Sequence, residues 1–146
     1  MTDVSYDWAA RQAAFEHLRL LTLIHGDVLP WSALKDGFAF HGTQITLLGQ
    51  RGIWSPRGWN TPISVSTSWR DPYGDTPGDD GLLQYRYFGT DPSHRDNAGL
   101  REAMRSGTPL IYFRAVEKGN YAPVWPLMVV GDDPSTLTFQ LTCEDV

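Results

Sequence analysis

Cysteine is almost absent: the chain of 146 residues contains one, Cys143. A single thiol excludes an internal disulfide framework and any multi-cysteine zinc site. It is read as a small buried side chain. No apolar run approaches the ~20 residues of a membrane span. The opening MTDVSYDWAARQ has neither the basic start nor the apolar stretch of a secretory signal. These absences predict a soluble, cytoplasmic protein without a membrane partner. Catalytic signatures are missing as well: there is no GxSxG elbow, no phosphate-binding glycine loop and no HExxH. The histidines, His17, His25, His41 and His94, are scattered. The expectation is a binding domain with no catalytic residue, no cofactor and no metal.

Acidic residues are missing from one long window. Positions 37–70 contain no Asp or Glu in a chain of formal net charge −5, yet they carry Arg51, Arg57 and Arg70. Lysine is scarce too, since 10 of the 12 basic residues are arginine, the side chain whose planar fork suits phosphates and base edges. Immediately afterwards DPYGDTPGDD holds four aspartates and no base. A locally positive face on an acidic body suits specific binding of nucleic acid over a weak non-specific background.

What is abundant is aromatic: 6 Trp, 6 Tyr and 6 Phe stand among 14 Gly and 10 Pro. That mixture predicts short strands and tight turns in one domain. Apolar residues at helical spacing from Trp8 to Ile24 predict a first helix over 7–25, capped by Gly26, with Arg11, Glu16 and Arg19 on its exposed face. WSALKDG reads as a short helical turn. FAF and QITLL read as a hairpin about Gly42, and PISVSTSW and LLQYRYF as further strands. A second helix is expected over 97–106, capped by DPSHRDN and closed by Gly107. LIYFRAV is the clearest strand. YAPVWPLMVVG reads as a bent or edge strand because of its prolines, and LTFQLT as the last. The sum is an α+β domain of about seven strands with one long and one medium helix, its curved sheet closing towards a barrel.

Between these strands lies RGIWSPRGW, a loop-like segment with two tryptophans and two arginines. Trp54 and Trp59, with Trp69 and Tyr73, flank or occupy the acid-free window, and Tyr85 and Tyr87 alternate on the next strand. Any one ring could fill a core, and Trp59 is assigned there. Rings that stack a base beside arginines that hold phosphates are the components of single-strand or flipped-base recognition. The aspartate loop lacks the ligand spacing of a calcium site. Within it Asp71 adjoins Trp69 and Arg70, where a carboxylate could accept hydrogen bonds from a base's exocyclic amine.

The runs HGDVLPW, GFAFHG, QRGIWSPR, DPYGD, DDGLLQYRYFGTDPSHRDNAGLREAM, PLIYF and YAPVWPLMVVGDDPSTLTF resemble, in order and across nearly the whole chain, the N-terminal domain found ahead of an HNH nuclease domain in bacterial restriction-type endonucleases. The resemblance implies a PUA-like, SRA-like β-barrel with flanking helices that flips a modified base into an aromatic pocket. The implied partner is double-stranded DNA carrying 5-methylcytosine or a related mark. The implied role is targeting of a tethered HNH nuclease, whose domain is absent from these 146 residues, in bacterial defence. An RNA-binding PUA-like module, or a reader of N6-methyladenine, is the alternative.

Pattern and resemblance together assign a base pocket to Trp54, Ser66, Thr67, Trp69, Asp71 and Tyr73, with Asp71 reading the Watson–Crick edge. Arg51, Arg57 and Arg70, with His94 and Arg95, are assigned to the DNA backbone. A metal-dependent enzyme built on the aspartate loop and a purely structural aromatic domain are the competing classes.

Overall fold

A computed structural model describes residues 4–49, 51–67, 75–77 and 82–143. Helix α1 (Val4–His25) leads through β1 (Leu29–Pro30), α2 (Trp31–Leu34) and the hairpin β2 (Phe38–Phe40) and β3 (Thr43–Ile45). Then follow β4 (Ile53–Trp54), β5 (Ser64–Ser66), β6 (Asp75–Pro77) and β7 (Leu83–Arg86). Helix α3 (Arg95–Ser106), β8 (Leu110–Glu117), β9 (Asn120–Asp133) and β10 (Thr138–Thr142) complete the chain. The main sheet runs β4-β5-β8-β9-β10-β7-β6, with β1 also on β9, and β2–β3 form a separate pair. Among the described residues only the β5–β8 pair is parallel. The result is an α+β domain around a curled, half-barrel mixed sheet.

The sheet is covered on both faces, which explains why β8 is apolar without alternation. Ile111 and Phe113 join Leu18, Phe15 and Ala14 of α1 in one core cluster. Leu110 and Tyr112 join Leu100 and Ala103 of α3 and Phe139 of β10 in the other. Helix α3 ends as its sequence dictates: Gly107 adopts φ 66°, a left-handed conformation costly for other residues, and its N–H closes onto Ala103 and Met104.

Four expectations are corrected. Ten strands are present among the described residues instead of about seven: β1 and β4 are two-residue strands too short to show a period, and β6, inside the aspartate-rich stretch read as a loop, pairs with β7. Strand β9 is central, lying between β8 and β10. Its prolines fit because Pro123 lies in the half bonded to β8, before pairing with β10 begins at Met128. Cys143 is exposed, since it follows the last paired residue of β10. Arg11 is fully buried, whereas Trp8 and Ile24, read as core, are 53% and 73% exposed.

Candidate functional site

The RGIWSPRGW segment is part strand, part turn. Ile53 and Trp54 pair with Val65 and Ser64, so Trp54 rises from the sheet edge and not from a loop. The chain then reverses at Pro56–Trp59, where Trp59 N–H donates to Pro56 O at 3.0 Å and Gly58 takes φ 86°. Opposite, the first turn of α3 delivers Arg95 and Asp96. Between them lies a cleft of about 560 Å³ walled by Trp54 and Trp59 and carrying Arg51, Arg57, Arg95 and Asp96. That volume is in the range of small-ligand sites.

Both indoles are held in place. Trp54 Nε1 donates to Thr46 O at 3.0 Å, and its ring lies so close over Gly49 that a methyl group there would overlap it. Gly49→Ala is therefore expected to displace the indole and cost about 1–3 kcal/mol, as overpacking does. Urea denaturation would measure the loss, and a shift in tryptophan emission the displacement. Trp59 lies over the Arg11 guanidinium, 4.9 Å from ring centre to Cζ, a cation–π contact strengthened by burial. Burial lowers the Arg11 pKa, and Asp7, bonded to Nε at 2.5 Å, works in the opposite direction. Trp59 thus packs against the core, as its sequence context suggested, while also walling the cleft.

Asp96 is the unusual group. It is 3% exposed, and its Oδ2 has no hydrogen-bond partner. Arg51 and Arg95 stand 3.6 and 3.9 Å from Oδ1, too far for strong hydrogen bonds. His94 Nδ1 is 3.9 Å from Oδ2 but already accepts the Asp96 backbone N–H at 3.1 Å as the N-cap of α3. That nitrogen therefore has no proton to give the carboxylate. The helix N-terminus favours a negative charge at this position, yet a buried acceptor with nothing to accept is costly. A ligand donor entering the cleft would satisfy it.

The expected site residues divide. Trp54, Arg51, Arg57 and Arg95 meet at the cleft. Arg57 is exposed and makes no ion pair among the described residues. His94 caps α3 and packs on Phe88 at 4.5 Å, a structural position. Ser66 and Thr67 do not join the cleft, because both help to stitch the sheet. Ser66 O accepts from Tyr85 Oη at 2.9 Å, and Thr67 Oγ1 accepts from Ala115 N–H at 3.0 Å. Trp69, Arg70, Asp71 and Tyr73 lie outside the described residues. Sequence reasoning missed Asp96, which it took as part of a polar helix cap, and Asn60, which also lines the cleft. The HRDN run sits far from the tryptophans along the chain, so only the fold reveals their proximity.

Among the described residues no group of three or more His, Cys, Asp or Glu could hold a metal ion. No helix there is long and apolar enough to cross a membrane. Comparison with known proteins finds no matching family model, no matching curated protein and no matching solved structure.

Proposed function

We propose that this domain binds double-stranded DNA and receives a base displaced from the stack in the Trp54–Trp59 cleft. The observation that carries the reading is a cleft walled by two fixed indoles and lined by Asp96, a buried carboxylate with one oxygen unpartnered. An indole face stacks any base and contributes ~1–3 kcal/mol by substitution, of the same order as the few kcal/mol spent on unstacking. Arg51, Arg57 and Arg95 at the rim supply phosphate contacts. Asp96 accepts from an exocyclic amine, the role expected of Asp71. The domain acts as a PUA-like reader of a modified base such as 5-methylcytosine, as the resemblance implies. Where a nuclease domain is joined to it, binding directs cleavage to marked DNA.

Binding to identical duplexes bearing cytosine, 5-methylcytosine, 5-hydroxymethylcytosine or N6-methyladenine tests this, measured by fluorescence anisotropy at several salt concentrations. One mark is expected to bind more tightly than its unmodified control. A buried methyl group alone contributes about 0.8 kcal/mol, roughly fourfold in affinity, so larger discrimination means that the cleft also excludes by shape. If the three arginines each neutralise a phosphate, log K should fall with log salt at a slope of about −2.7. Equal affinity for all duplexes rejects modification sensing. No binding to any of them rejects the DNA reading.

A further inference from the structure

A second face of the molecule is open and has no part in the cleft. At its N-terminal half α1 borders a separate groove of about 470 Å³, walled by Trp8, Phe15, Trp125, Pro126 and Met128. At its C-terminal half the same helix exposes Leu20, Leu23 and Ile24 by 58%, 76% and 73%. Two oppositely charged residues, Glu16 and Arg19, line the end of the groove nearest those knobs, 3.5 Å apart and both well exposed. At 3.6 residues per turn, Trp8, Gln12, Glu16, Arg19, Leu20 and Leu23 share an arc of ~120°. One helix face therefore carries a hole, a charge pair and a set of knobs in linear order.

We propose that a second copy of this chain covers that face, the two α1 helices packing antiparallel about a two-fold axis near His17 and Leu18. Such an axis pairs position 16 with position 19 of the other copy, so Glu16 meets Arg19 twice. It also sets Leu23 opposite Gln12, one of the residues that line the groove, which directs that leucine to the partner's groove. From the 1.5 Å rise, Leu23 and Gln12 both lie ~8 Å from the axis, on opposite sides. The face is thus self-complementary in shape order and in charge, as an isologous interface requires. A partner of single-sign charge would leave Glu16 or Arg19 opposed to its like. This inference is independent of the DNA reading, because none of these residues lines the Trp54–Trp59 cleft.

Sedimentation equilibrium of the 146-residue chain over a dilution series reaching about 100 μM decides the matter. The expected result is a dimer that Leu23→Glu weakens at least about tenfold, and Ile24→Glu less, since Ile24 falls outside the shared arc. Both side chains are largely exposed, so circular dichroism should show both variants folded. Glu16→Arg should weaken the dimer several-fold, and adding Arg19→Glu in the same chain should restore it. A chain that stays monomeric throughout overturns the proposal and leaves the face to a different partner. A dimer indifferent to Leu23→Glu overturns it as well.

Discussion

Replacing Arg11 by alanine is expected to remove about 3–5 kcal/mol of folding stability, the cost of breaking a buried, fully bonded ion pair from one side. The guanidinium is a junction of three segments. Nε donates to Asp7 on its own helix at 2.5 Å. One terminal nitrogen donates to Pro62 O at 2.8 Å and Pro109 O at 3.0 Å, and the other to Thr61 Oγ1 at 2.5 Å. Truncation leaves those buried acceptors unsatisfied at ~1–3 kcal/mol each, only partly offset by ending the desolvation of a charge. For a domain of this size the expected fall in Tm is roughly 6–20 °C. Lysine keeps the charge but not the fork, so Arg11→Lys should recover only part of the loss. Thermal denaturation followed by circular dichroism measures both variants. A loss below about 1 kcal/mol for Arg11→Ala would show that this network contributes nothing net. Because Trp59 rests on the guanidinium, the variant that does fold should also show altered tryptophan emission.

Arg11 also shows what the sequence concealed. It lies seven residues before Leu18, almost directly above it on the helix, so position alone puts it in the middle of the apolar stripe. Charge made it read as exposed. The same spacing made Trp8 and Ile24 read as core, yet both are exposed, since they stand about 80° and about 120° around the helix from Leu18. Spacings of three and four locate a stripe but not its width. By contrast, the extents of α1 and α3, the β2–β3 pair and β8 were legible, because helical or β-branched patterns and glycine caps act locally. The two-residue strands β1 and β4 owe their existence to neighbours distant in sequence, and no local pattern announces them.

The cleft was legible in half. Absence of acid around RGIWSPRGW pointed to Arg51, Trp54 and Arg57, and these three do line one cavity. The opposite wall comes from the start of α3, brought there by the parallel β5–β8 pairing and the packing of α3 on the sheet. Gly99 packs against Pro62, so the helix lies close to the connection that bears Trp59. Non-local pairing of this kind leaves no spacing rule in the chain, which is why a buried aspartate inside a cap motif looked ordinary.

Asp96→Asn is expected to separate stability from binding. The substitution is nearly isosteric and removes a buried charge whose arginines stand at 3.6 and 3.9 Å, so little favourable pairing is lost. One carboxylate oxygen already lacks a partner, and the neutral amide is cheaper to bury. Folding stability should therefore hold or rise by up to about 1 kcal/mol, read from the urea midpoint. Affinity for the preferred duplex should fall about 10- to 150-fold, because a hydrogen bond to a charged group contributes ~1.5–3 kcal/mol. Asn also brings an NH₂ that can face the ligand's own donor. Two other outcomes carry different meanings. Lost stability with intact binding would make Asp96 an anchor for Arg51 and Arg95, with the base read by other groups. Unchanged affinity in an equally stable protein would mean that no ligand donor reaches Oδ2, and the base would then lie outside this cleft. The expected pattern, firmer folding with weaker binding, is the one a group kept for recognition should give, since its unsatisfied oxygen costs the free domain stability that the complex restores.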